Sequence, residues 1–202
     1  MIELAPGQSN RRDIELLNEG DNRAYVLTEP FEIIAPGTAS EQRIPATDPE
    51  QAGLLVSPAR MIVEARQRKL IRLSAIDPSP TRERVYRLTV RPVPGELLPD
   101  QQGLQVTVGY DVLVLVRSPA ALARLTGRWQ GDRLTITNEG SASAELSDGR
   151  GCIAATRACR PLVGKRLYAG ASWTVDAGQA DRLSFIVKTA GAPTHQLFER
   201  HP

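Results

Sequence analysis

From Leu104 to Val112 every second residue is apolar: Leu104, Val106, Val108, Tyr110 and Val112 alternate with Gln105, Thr107, Gly109 and Asp111. Successive side chains of a strand point to opposite faces, so the pattern predicts a strand with one apolar row and one polar row. Beyond Val112 the chain reads Leu113, Val114, Leu115, Val116 before Arg117, and a run that is apolar at every position needs cover on both faces. Strand-like runs also occur at 11–18, 23–34, 59–63, 69–74 and 84–91, and again at 133–137, 142–146, 166–169, 172–176 and 183–188. Pro and Gly clusters separate most of them, and no amphipathic helical pattern of about 10 to 15 residues intervenes. The stretch 35–53, with Pro36, Gly37, Pro45 and Pro49, reads as a long exposed loop between two sheets. From Gly191 onward the chain reads either as a final edge strand or as a loose tail.

One pattern occurs twice. Asp13-Ile14-Glu15-Leu16-Leu17-Asn18-Glu19-Gly20 and Arg133-Leu134-Thr135-Ile136-Thr137-Asn138-Glu139-Gly140 both run from an alternating strand into an Asn-Glu-Gly turn, one domain length apart. The recurrence is either a coincidence of a short strand and turn or the mark of two similar β-domains. Many short strands with turn signals between them favour immunoglobulin-like sandwiches over a βαβ fold. The expectation is therefore an all-β chain of two immunoglobulin-like β-sandwich domains. Ser118-Pro119-Ala120-Ala121-Leu122 breaks the longest strand, which sets the domains at 1–118 and 128–202 with a linker at 119–127.

Composition narrows the chemistry. The 202 residues are 41% hydrophobic and 24% charged, and the net charge of +2 arises from interspersed arginines and acids rather than a basic block. That gives no electrostatic reason to expect nucleic acid or a membrane surface as partner. No stretch approaches the roughly 18 apolar residues of a membrane span. The N-terminus lacks the order of a signal peptide, so any such signal is expected to have been removed. Both histidines, His195 and His201, fall at the extreme C-terminal end, and neither a phosphate-binding glycine loop nor a metal-ligand spacing occurs. No enzyme, cofactor or metal is expected. Trp129 and Trp173 read as packing residues. Cys152 and Cys159 lack the Cys-x-x-Cys spacing of zinc sites and are either a hairpin disulfide or two free thiols.

Leu55-Val56-Ser57-Pro58, the strand at 68–74, Tyr86 to Pro94 and the long strand ending at Arg117 follow one another in a characteristic order. Asn138, the turn Arg166 to Gly170 and Leu183 to Ile186 continue the series in the second half. In this order and spacing the chain resembles the PapD-like periplasmic pilus-assembly chaperones, over nearly its whole length. The resemblance implies two immunoglobulin-like domains in an L- or boomerang-shaped arrangement. It also implies that the last strand of the first domain is lent to an incomplete pilus subunit, as donor-strand complementation. A subunit short of one strand exposes apolar core and unpaired backbone, and an extended donor satisfies both. Leu104, Val106, Val108, Tyr110 and Val112 match the donor row. The partners implied are pilus subunits and an outer-membrane usher, and the free molecules have the option of pairing through the same strand. The implied location is the periplasm, and in that oxidising setting Cys152 and Cys159 are expected to form an intramolecular disulfide.

The sequence departs from the family where the subunit's terminal carboxylate is usually anchored. Typical members place Arg on the first strand and Lys late in the donor strand; Ile2 and Leu113 stand at those positions here and bind no anion. Arg87, Arg91 and Arg117 are the nearest basic candidates for a carboxylate anchor, or else ordinary ion-pair partners. Glu83 and Arg117 match two members of an interdomain salt bridge, while the expected acidic third member is replaced by Lys188. The cysteine pair also lies earlier than in typical members. Together these departures point to an alternate or archaic branch. The rival reading is a structural or adhesive two-domain immunoglobulin-like protein, whose apolar row would be buried in its own sandwich.

Overall fold

A computed structural model describes residues 1–5, 10–76, 80–93 and 108–200. Almost all ordered segments are strands. In the first half these are β1 (Ile2–Leu4), β2 (Arg11–Leu17), β3 (Ala24–Ile34), β4 (Gln42–Pro45), a short helix α1 (Pro49–Ala52), β5 (Leu54–Ser57), β6 (Arg60–Val63), β7 (Arg68–Ala75), β8 (Arg84–Val93) and β9 (Tyr110–Val116). The second half holds β10 (Leu125–Gln130), β11 (Arg133–Asn138), β12 (Ala144–Cys152), β13 (Cys159–Leu162), β14 (Lys165–Leu167), β15 (Ser172–Asp176), β16 (Arg182–Lys188) and β17 (Thr194–Glu199). The chain divides into two compact units. One comprises Met1–Ile34, Arg43–Pro80 and Arg84–Pro119; the other comprises Ala35–Gln42, Thr81–Glu83 and Ala120–Pro202.

In the first unit one sheet runs β1-β9-β8-β3-β4, with β6 also on β3, and a second runs β2-β7-β5. Alternation decides what lies between them. Leu88 and Val90 of β8, Val114 and Val116 of β9, and Ile71 and Leu73 of β7 all face inward and are buried, so the two sheets close a sandwich over one apolar core. The second unit repeats the architecture, with β10-β11-β15 against β13-β12-β16-β17 and β14 paired to β12. Its core gathers Leu134, Ile136, Leu146, Leu183 and Phe185, with Trp129 and Trp173 packed at the margin. Both units are immunoglobulin-like sandwiches, the architecture expected from strand spacing.

The repeated Asn-Glu-Gly motif does the same work in both units. The Oδ1 of Asn18 accepts from the Gly20 N–H at 3.1 Å, while its Nδ2 donates to the carbonyls of Asn22, Val63 and Glu64. Asn138 accepts from the Gly140 N–H at 3.0 Å and donates to the carbonyls of Ala142 at 2.8 Å and Leu167 at 3.0 Å. Each Asn mimics a backbone turn and ties the end of one strand to a neighbouring segment.

One segment differs from the sequence-based expectation, and another settles a choice that expectation left open. The stretch 35–53 is not wholly loop, because it contains β4 and α1. Asp48 caps the helix by accepting from the Glu50 N–H at 3.0 Å, Pro49 occupies its first turn, and Gly53 ends it at φ 66°. The C-terminal stretch resolves in favour of an edge strand, β17, paired to β16 along Arg182 to Val187. Cys152 and Cys159 sit opposite one another on β12 and β13, with Cα atoms 4.1 Å apart, and are joined by a disulfide.

Candidate functional site

The apolar row that opens the sequence pattern changes environment along its length. Val114 and Val116 are fully buried in the first sandwich, and Val112 packs against the same core from a partly covered position. Tyr110 and Val108, next in the same row, are 62% and 69% exposed. Leu104 and Val106 lie outside the described residues.

Ladder lengths explain the change. β8 pairs with β9 from Arg84↔Val116 to Val90↔Tyr110, whereas β1 runs parallel to β9 only from Ile2↔Val114 to Leu4↔Val116. Among the described residues, Tyr110 to Leu113 therefore pair on one side only, leaving an open strand edge where the apolar row emerges. Val108 and Tyr110 also border a cleft of ≈ 230 Å³ whose walls include Leu16, Leu17, Val90 and Pro92. An unpaired edge beside exposed apolar side chains is a template for another strand. Burying one such side chain fully is worth about 1.5 to 3 kcal/mol.

On the opposite face of β9 the chemistry is ionic. Arg43 of β4 places Nη2 2.9 Å from Oδ1 of Asp111 and 2.6 Å from Oγ1 of Thr89, and its guanidinium lies 4.3 Å above the Phe31 ring. Arg87 approaches the other Asp111 oxygen at 3.9 Å. Arg91 pairs with Glu29 at 3.0 Å and lines the cleft beside Val108. Arg117, with its side chain 2% exposed, holds Glu3 at 2.9 Å. All three arginine candidates for an anion anchor thus already face a carboxylate, and only Arg87 and Arg91 lie on the exposed part of the sheet. Glu83 accepts from the Ser143 N–H at 3.1 Å. Lys188, at the end of β16, stands opposite Glu145 of β12.

The positions expected for the usual anchor lie on neighbouring strands but on opposite faces of the sheet. Ile2 lies opposite Val114, beside Leu113, on the paired strands β1 and β9, and Ile2 packs against the apolar core. Neither Ile2 nor Leu113 carries a group able to bind a carboxylate.

The N-terminal domain of the pili and flagellar-assembly chaperones, the PapD N-terminal domain, matches residues 4–123, more than half of the chain. The chain belongs to the PapD-like pilus-assembly chaperone family. Solved chaperone structures match along its full length in fold. The class 5 fimbriae chaperone CfaA is 20% identical with a TM-score of 0.74, covering 99% of this chain and 95% of its own. The complex of the Salmonella enterica SafA pilin with the SafB chaperone matches at 17% identity and a TM-score of 0.64, covering 98% and 92%. The CsuC-CsuE chaperone-tip adhesion subunit complex of the archaic Csu pili of Acinetobacter baumannii matches at 16% and 0.60, covering 98% and 93%. No curated relative matches in sequence.

For a PapD-like chaperone the notable residues are those that strand patterning did not single out. Asp111 is the one carboxylate of β9, and that was a visible signal. Arg43 carried none, because its strand lay in a stretch read as loop.

Proposed function

We propose that this PapD-like chain is a periplasmic chaperone that lends β9 and the residues preceding it to pilus subunits and delivers the bound subunits to an outer-membrane usher. One observation carries the reading: a single apolar row is core at Val114 and Val116 and solvent-exposed at Val108 and Tyr110, where β9 has an open edge. A strand belonging only to its own sandwich gains nothing from exposing the end of its apolar row. A strand that is shared gains a second core to complete, with backbone hydrogen bonds supplying affinity and alternate side chains supplying register. Leu104 and Val106 extend the row in sequence. No covalent chemistry or cofactor is required.

Arg87 and Arg91 are the candidates to receive the subunit's terminal carboxylate, by exchanging Asp111 or Glu29 for the incoming group, since arginine suits two-pronged carboxylate binding. Arg117 is buried with Glu3 and is the weaker candidate. Ile2 and Leu113 at the usual anchor positions, together with Lys188, favour a branch outside the typical one.

Co-expression with a pilus subunit and affinity isolation of the complex test the proposal. Val108→Asp combined with Tyr110→Asp should abolish capture while leaving the chaperone folded. Undiminished complex formation by that variant would refute strand lending.

A further inference from the structure

Asp is a poor strand former, yet Asp111 stands in β9 immediately after the exposed Tyr110, at the start of the segment that pairs on one side only. Its carboxylate points away from the apolar row and meets a group built from three other strands. Arg43 on β4 bonds both carboxylate oxygens, at 2.9 Å and 3.4 Å. On its way it crosses the ring of Phe31 on β3 and bonds Thr89 on β8, and the Thr89 hydroxyl donates to the same Asp111 oxygen at 3.3 Å. One side chain therefore braces four successive strands of the sheet from β4 to β9.

We infer that Arg43 is a positioning residue that, through Asp111, holds the first residues of β9 extended, so that Val108 and Tyr110 are presented as a row before any partner binds. The inference rests on the strand-lending reading. A strand end with a single neighbour frays, and each residue left disordered must be ordered again on binding. A brace on the polar face removes that cost without occupying the apolar face or the open edge. The ion pair is about two-fifths exposed on each side, so its strength comes from two-pronged geometry, the Thr89 bond and the aromatic stack rather than from burial. The competing explanation is that Asp111 merely guards the edge against aggregation by its charge.

Full-length R43Q, D111N and the double variant separate these ideas. In the free protein, amide hydrogen exchange at Tyr110 to Leu113 should rise about two- to fivefold in each single variant and no further in the double, while Leu134 and Ile136 in the second unit serve as unchanged controls. R43K, which keeps the charge but loses the fork, should fall between wild type and R43Q. A second measurement uses a pilus subunit that the wild-type protein is first shown to capture. The rate at which that subunit is captured during refolding should fall by a similar factor, with dissociation of the formed complex unchanged. Unaltered exchange, additive single effects, or faster exchange with an unaltered capture rate would each overturn the positioning role. Loss of the lending reading itself has a different signature, namely capture that survives Val108→Asp combined with Tyr110→Asp.

Discussion

Replacing Asn138 by Ala strips the second sandwich of a side chain that is wholly buried and serves four backbone groups. Its Nδ2 satisfies the carbonyls of Ala142 and Leu167, and its Oδ1 satisfies the N–H groups of Gly140 and Arg124. A buried polar group left without a partner costs about 1 to 3 kcal/mol. The two amides lie nearer solvent and recover water, so the loss is dominated by the two carbonyls and should total about 3 kcal/mol. Both tryptophans, Trp129 and Trp173, pack on this unit's core, so tryptophan fluorescence during urea unfolding reads the affected unit directly. With a slope of about 1.5 kcal/mol per M for a domain of this size, the midpoint should fall by about 2 M. Asn18→Ala is the comparison, because Asn18 makes a similar set of bonds, to the Gly20 N–H and the carbonyls of Asn22, Val63 and Glu64, from a partly exposed position where water can replace them. Followed by circular dichroism, it should cost only about 1 kcal/mol. A midpoint shift below about 0.5 M for Asn138→Ala, or a larger loss for Asn18→Ala, would refute the claim that burial decides the worth of this motif.

Gly140→Ala places a Cβ 2.2 Å from the Leu122 carbonyl oxygen and 2.6 Å from the Arg124 nitrogen, so it should destabilise the same fluorescence transition by more than about 2 kcal/mol. Cys152→Ser with Cys159→Ser opens a short loop and should lower stability by about 2 kcal/mol; the oxidised protein, unfolded without reductant, should titrate no free thiol. The hydrogen bonds from Arg72 hold the Asp13 carboxyl below its ordinary range. Its contribution is therefore present above a pH of about 4 and is lost as pH falls through the lowered value, so Asp13→Asn should flatten that part of an acid-stability profile.

How much was legible before the fold was known differs by residue. Cys152 and Cys159 had two open readings, and the pairing of β12 with β13 chose the disulfide by setting the two residues directly opposite. The helix at Pro49–Ala52 had its signals in plain view, with Asp48 to cap it, Pro49 to start it and Gly53 to end it, but four residues are too few for periodicity to register. Arg43 was beyond reach, since its partner Asp111 lies two strands further along the sheet than the strand it neighbours, and only strand order makes them meet.

The alternation along Val108, Tyr110 and Val112 predicted by itself that these apolar side chains share one face, because the two-residue period of a strand is a local property. The doubled Asn-Glu-Gly turn left coincidence and duplication both open, and the fold decided for two similar sandwiches, since Asn18 reaches Val63 and Glu64 and Asn138 reaches Leu167 only once distant strands are in place. Where along the strand the apolar face stops being core and becomes surface was a tertiary decision. The β1 ladder reaches back only to Val114 and the sandwich ends beside Tyr110, and coverage by neighbouring strands is not encoded in the pattern of the strand they cover. The same holds for Arg87, Arg91 and Arg117: their charge is written in the sequence, while the carboxylates that occupy them were supplied by β9, β3 and β1.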